Sequence, residues 1–215
     1  MPFYPPRPRS GADFCTSILN SMPGWVAEPK INGIRALVSP NADSDRVLWN
    51  RHMKTMDLAE RNRFGPFIEK LRQITDRFNI STFDVETLGR YTGQPTCMFV
   101  FDIQDRHLYC DYDQRRAIME SMGLPVLDLG TSPPPGGGLF LVPNGDPVTM
   151  WNKCVSLRGD NSYLEGIVLK EKHSTYDWQI SREKQETSSW VKFRFENSPC
   201  KPLPSSTDRN LPVSG

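Results

Sequence analysis

Apolar and polar positions change period repeatedly along this chain, which predicts short strands interleaved with a few helices. Residues 25–30 and 34–38 read as strands on either side of the turn dipeptide Asn32-Gly33, and 46–50 as another short strand. From Pro66 the apolar residues Phe67, Ile68, Leu71, Ile74 and Phe78 recur at helical spacing. That pattern predicts an amphipathic helix over 66–78, with Lys70, Arg72 and Arg77 on its outer face. Residues 81–88 and 97–104 are predicted strands around Thr92-Gly93-Gln94-Pro95. A helix is predicted over 113–122, stopped by Gly123. Residues 131–138 (TSPPPGGG) read as a loop and 139–142 as a strand, and Asp146-Pro147 has the cap and first-turn proline of a helix start. Strands over 165–171 and 188–195 complete the series. Without a regular β-α-β alternation, and with many hairpin-like joins, the chain is expected to be α+β with antiparallel sheets.

Composition bounds the picture. A chain of 215 residues, 37% hydrophobic and 24% charged, is long enough for one domain with a real core. Residues 1–12, rich in proline and arginine, are expected to be mobile, and 197–215, rich in proline and serine, to be disordered. The expected folded body is 13–196. The net charge of +1 means that a nucleic-acid surface would have to be a local patch. Five cysteines without a C-x-x-C spacing argue against a disulfide framework and a structural zinc site. The start of the chain lacks the apolar core of a signal peptide, and no apolar run approaches the ~20 residues of a membrane span. A protein of a reducing compartment, the cytoplasm, with no membrane partner is the expectation.

Five segments carry candidate chemistry. The first is Glu28-Pro-Lys30-Ile-Asn32-Gly33-Ile-Arg35. A free lysine has a pKa of ~10.4, and bringing it to ~7, where it is a nucleophile, takes roughly 4–5 kcal/mol from burial and nearby cations. Gly33 would let the backbone pass close to a bound ligand. In Phe83-Asp84-Val85-Glu86-Thr87, strand alternation puts the carboxylates of Asp84 and Glu86 on one face, suited to a metal or to sugar hydroxyls. Phe99, Phe101 and Ile103 share a face of the next strand, where a ring at a pocket edge could stack on a base. Glu165-Gly166 opens a buried-type strand ending at Lys170. Lys192 and Arg194 share a face while Val191, Phe193 and Phe195 pack, and two fixed cations suit a phosphate.

In this order the segments resemble the covalent nucleotidyltransferase superfamily of ATP-dependent DNA ligases, RNA ligases and mRNA capping enzymes. Lys30-Ile-Asn32-Gly33-Ile-Arg35 looks like motif I and Trp49-Asn-Arg51-His-Met-Lys54 like motif Ia. Asp84-Val-Glu86 looks like motif III, Phe99-Val-Phe101-Asp102 like motif IIIa, Glu165-Gly-Ile-Val-Leu-Lys170 like motif IV and Lys192-Phe-Arg194 like motif V. Asn32 stands where aspartate is commoner, and Arg194 where the family usually has a second lysine. The resemblance spans about residues 25–195.

The resemblance implies two antiparallel sheets flanked by helices, the ATP-grasp-like nucleotidyltransferase domain of ligases and capping enzymes, with the nucleotide between the sheets. It implies that Lys30 accepts AMP from ATP, that Glu28 sits near the adenine amino group, that Arg35 and Glu86 contact the ribose and that Phe101 stacks on the base. Glu165, with Glu86 as a second candidate, would hold magnesium or manganese. Lys192 and Arg194 would hold the α-phosphate, and Arg51 would reach the 5′-phosphate of the nucleic acid. The implied activity is sealing of 3′-hydroxyl and 5′-phosphate ends by a monomer. Glu165-Gly166 and the G-x-R ending of motif I favour a DNA ligase of small viral or phage type, acting on nicked or broken DNA in the cytoplasm of a host. The alternative is an RNA ligase, and behind it a capping guanylyltransferase or a non-catalytic nick- or end-binding module. No OB domain is expected after Phe195.

Overall fold

The strands that flank Asn32-Gly33 do not pair with each other. In the computed structural model, which describes residues 2, 4–11, 22–43, 45–89, 95–104, 109–131, 136–159, 163–176 and 186–197, they belong to two different sheets. The strands, in chain order, are β1 (Arg7–Ser10), β2 (Trp25–Ile31), β3 (Ile34–Val38), β4 (Leu48–Asn50), β5 (Thr82–Leu88), β6 (Cys97–Gln104), β7 (Gly138–Leu141), β8 (Leu164–Glu171) and β9 (Glu186–Arg194). One sheet has the order β1-β9-β8-β2 and the other β4-β3-β5-β6-β7. The connection at Asn32-Gly33 is therefore a corner between sheets, and Asn32 N–H donates to the Tyr163 carbonyl (2.7 Å).

The helices are α1 (Leu58–Phe78), α2 (Tyr112–Ser121) and α3 (Pro147–Leu157). Helix α1 starts eight residues before the predicted Pro66 and carries that proline inside it. Asp57 caps it, accepting from the Glu60 N–H, and Phe64, Ile68, Leu71 and Thr75 form its buried stripe. Gly65-Pro66 looks like a stop in sequence. The stripe already begins at Phe64, and its burial outweighs the one hydrogen bond that proline cannot make. Helix α2 has a capping box between Asp111 and Gln114, and Gly123 follows it at φ +72°, as a helix stop requires. Asp146 caps α3, with Pro147 in the first turn.

The sheets are mainly antiparallel, with a parallel pair at an edge of each, β1 on β9 and β7 on β6. The β6–α2–β7 crossover makes the second pair parallel, a single β-α-β unit that the irregular alternation concealed. Residues Arg7–Ser10, in the segment expected to be mobile, are an edge strand of the first sheet. The Thr92-Gly93-Gln94 connection, residues 132–135 of the predicted loop, Cys15, and Cys200 with the tail after Asn197 lie outside the described residues.

Two apolar clusters hold the layers. One joins Ala27, Ile167, Leu169, Val191 and Phe193 of the first sheet to Trp151 and Cys154 of α3 and to Phe99 of β6. The other packs Val85, Val100 and Ile103 of the second sheet against Phe64 and Leu71 of α1 and Met119 of α2. Ile103 thus lies in a different layer from Phe99, contrary to simple alternation. The β5/β6 register slips by one residue, Asp84 facing Asp102 and Val85 facing Val100, so Phe101 is the extra residue of a bulge.

Candidate functional site

Glu28, Lys30, Arg35, Arg51, Glu86, Phe101, Glu165, Lys192 and Arg194 line one cavity of about 790 Å³, whereas Asp84, expected to share a metal or sugar site with Glu86, is buried behind it and is taken up by Arg35 and the Tyr176 hydroxyl. Strand alternation places most of them, since Glu28 and Lys30 share a face of β2, and Trp190, Lys192 and Arg194 a face of β9. Arg51 and His52 stand at the turn after β4, exposed, with the Arg51 Nε donating to the His52 ring (3.1 Å).

Lys30 meets Glu165 through a bulge. Lys30 pairs with Gly166 and Ile31 with Leu164, which leaves Glu165 as the extra residue of β8. The bulge turns its carboxylate to the face that Lys30 occupies, and the Lys30 Nζ donates to Glu165 Oε1. Gly166 makes this possible. Its φ is +151°, and a Cβ there would meet the Phe193 carbonyl oxygen at 1.9 Å. Glu165 Oε2 stands 3.6 Å from the Arg194 Nε, a buried donor without a hydrogen-bond partner among the described residues. Lys192 is half-buried beside them. Burial, then the charges of Arg194, Arg7 and Lys30, hold its pKa below the usual lysine value.

Gly33 serves the corner itself. A Cβ there would meet the Thr87 carbonyl oxygen at 2.5 Å and the Glu86 Cγ at 2.9 Å, so the close approach is to β5, where a bound ligand had been expected. Its N–H donates to Glu86 Oε1 (3.1 Å). Burial pushes the Glu86 carboxyl up to about 7 against the pull of Lys30 and Arg35, and the charges of Asp84 and Glu165 add to the rise.

Arg35 is held by Asp84 through two hydrogen bonds (2.8 and 2.5 Å), and its guanidinium lies 5.2 Å from the Phe101 ring centre and 5.4 Å from that of Trp190. Glu28, 3% exposed, accepts from the Tyr112 hydroxyl (2.6 Å) and faces the Lys170 Nζ at 2.9 Å. Burial raises its pKa, and Lys170 and Tyr112 oppose the rise. Lys170 also donates to the Phe101 carbonyl (2.7 Å) and lies 4.5 Å from the Trp190 ring centre. Behind it, burial would raise Asp102, but Arg115 and Lys170 overcome that and hold it below the usual carboxylate range.

Lys170, Trp190 and Arg7 are cavity residues to which the sequence assigned no role, although Lys170 ends the segment like motif IV. Trp190 could have been found from its two-residue spacing to Lys192. Lys170 and Arg7 carry no such local signal, because the partners of Lys170, Glu28 and Asp102, and the like-charged neighbour of Arg7, Lys192, are distant in sequence. Among the described residues no group of three or more His, Cys, Asp and Glu could hold a metal by itself, Cys97, Cys110 and Cys154 are free thiols, and no helix is long and apolar enough to cross a membrane.

No protein-family model and no curated protein sequence matches the chain. Solved structures do. The ligase domain of LigD from M. tuberculosis superposes with a TM-score of 0.60 at 18% identity, over 89% of this chain and 59% of that one. An archaeal ATP-dependent RNA ligase gives 0.58 at 16% identity over 89% of this chain and 48% of that one. Chlorella virus DNA ligase-adenylate gives 0.55 at 11% identity over 90% and 68%. The fold is that of the nucleotidyltransferase domain of polynucleotide ligases. This chain spans 59% of the LigD domain and 48% of the RNA ligase, and its likeness at these identities is one of fold.

Proposed function

We propose that this chain is the catalytic domain of an ATP-dependent polynucleotide ligase, with Lys30 as the residue that takes AMP. The observation that carries the reading is the cavity wall on which Lys30, Glu165, Lys192 and Arg194 converge from three neighbouring strands. An amine, a carboxylate and two cations around one void are the groups that transfer of a nucleotide to lysine needs. The Lys30 nitrogen attacks the α-phosphorus of ATP, an N–P bond forms, and the P–O bond to pyrophosphate breaks. Lys192 and Arg194 hold the α-phosphate oxygens, whose negative charge builds in the transition state. The 5′-phosphate of a nucleic acid then attacks the same phosphorus and breaks the N–P bond. A 3′-hydroxyl finally displaces AMP and seals the strand.

Glu28, Phe101 and Trp190 lie on the wall that would hold the base, Glu86 and Arg35 beside it for the ribose, and Arg51 at the rim for the 5′-phosphate. Glu86 and Glu165 fit a magnesium ion completed by phosphate oxygens and water, since magnesium takes one or two carboxylates in that setting. When bound, the ion would neutralise phosphate charge. DNA is the favoured substrate and RNA the alternative.

The test is incubation with α-labelled ATP and magnesium. The protein is expected to take up label covalently and Lys30→Ala to take up none. Label on Lys30→Ala equal to the parent, or none on the parent between pH 6 and 9, refutes the reading. Matched nicks with all-DNA, all-RNA and mixed 3′-hydroxyl ends then separate the two substrates.

A further inference from the structure

The N-terminal segment is tied to this cavity at three points. β1 pairs in parallel with β9, the Gly11 N–H donates to the Lys192 carbonyl (3.0 Å), and the Pro6 carbonyl accepts from the Arg35 guanidinium (2.5 Å). Pro8, which has no N–H to give, suits an edge position. These ties make Arg7 and Pro8 part of the cavity lining. The Arg7 guanidinium is half-buried and makes no hydrogen bond or ion pair with any described residue. It is near enough to Lys192 to act on its charge, as do Arg194 and Lys30. The Glu165 carboxylate on that wall is already engaged by Lys30 and Arg194. Four cations around one cavity, one of them a planar fork without a partner among the described residues, suit an extended polyanion.

The sheet order says which part of the polyanion reaches Arg7. Lys30 is on β2, Glu165 on β8, Lys192 and Arg194 on β9, and Arg7 on β1, the far edge. Three strand spacings, about 14 Å, separate β2 from β1, and the register adds to this a displacement along the strands, for Ser10 lies opposite Lys192 and Arg7 opposite Glu186. A nucleophile and its leaving group lie in line on opposite sides of the phosphorus. The group that departs from an α-phosphate attacked by Lys30 lies on the far side of the phosphorus from that nitrogen, within reach of the cavity cations that β9 and β1 carry.

Resting on the function proposed above, we infer that Arg7 is a further phosphate-binding residue, one that holds the β- and γ-phosphates of ATP as they leave as pyrophosphate. Arg7→Ala is expected to raise the KM for ATP in self-labelling at least about tenfold, the effect of one charge-assisted hydrogen bond. The pyrophosphate needed to strip label from the adenylylated protein rises by a similar factor. Sealing of a pre-adenylated nick is unchanged, because no pyrophosphate takes part in it. Arg7→Lys keeps the charge and the strand and falls between; if Arg7→Ala does not fold, as judged by thermal melting, Arg7→Lys carries the comparison. Calorimetric titration with tripolyphosphate gives a reading free of turnover, in which Arg7→Ala binds at least about tenfold more weakly. Labelling, stripping and titration equal to the parent overturn the assignment. So does loss of pre-adenylated sealing with labelling intact, for the phosphate held would then be that of the nucleic acid. If the parent takes up no label, the ligase reading fails, and the titration alone decides whether Arg7 binds polyphosphate.

Discussion

Lys170 offers the most direct test of how the cavity is built. It is 1% exposed and serves the buried carboxylate of Glu28 at 2.9 Å, while Asp102, at 3.4 Å, also has Arg115 at 2.7 Å. Lys170→Met fills similar volume but deprives Glu28 of its ammonium, leaving it the Tyr112 hydroxyl. Removing one partner of a buried pair costs about 3–5 kcal/mol. For a domain of this size each kcal/mol moves Tm by roughly 2–4 °C, so the melt should fall by about 6–20 °C near neutral pH. Glu28 is already raised by burial, and losing Lys170 raises it further. A carboxyl whose folded pKa is raised contributes stability at low pH and loses it as pH climbs through that pKa. The deficit of Lys170→Met should therefore shrink at pH 5, where Glu28 can be neutral. Glu28→Gln needs no cation at all, so the double variant should lose at least about 1 kcal/mol less than the two single losses together. Melting by circular dichroism at pH 5 and 7.5 reads all four proteins. A Lys170→Met melt within about 2 °C of the parent at both pH values, or additive losses, refutes the pairing as the element that sustains Glu28.

Other consequences are as direct. Gly166→Ala puts a Cβ 1.9 Å from the Phe193 carbonyl oxygen at φ +151°, and backbone strain with overpacking should cost about 2–4 kcal/mol in a urea melt; an unchanged midpoint contradicts the bulge geometry. Glu86, raised from 4.5 to about 7, binds its proton more tightly folded than unfolded, so its contribution to stability is full below pH 4.5 and lost as pH rises through 7. Glu86→Gln should flatten the stability profile over that window, and a parallel pair of profiles would show that the carboxyl is not so raised.

The order of chemical residues and the period of the strands are local properties, and both are legible in the sequence. Period two alone sets Lys192 and Arg194 on one face with Val191 and Phe193 on the other, and the structure buries the latter pair in the core. Asp84 and Glu86 share a face for the same reason, and the cap and first-turn proline at Asp146-Pro147 mark the start of α3.

What the sequence could not decide is where that periodicity is broken and which strands become neighbours. Asn32-Gly33 has the composition of a hairpin turn. Whether it joins paired strands or turns a corner depends on β8 taking the edge of β2 and β5 that of β3, partners distant in sequence. The bulges at Phe101 and Glu165 each move a side chain to the opposite face through one unpaired residue, and no local pattern marks them. The proline-rich start of the chain becomes a strand because the edge of β9 and the guanidinium of Arg35 supply hydrogen-bond partners that composition does not reveal. Local chemistry thus determined which residues could form a nucleotide site. Long-range pairing decided that they face one cavity, that Glu165 meets Lys30, and that Arg7 joins them.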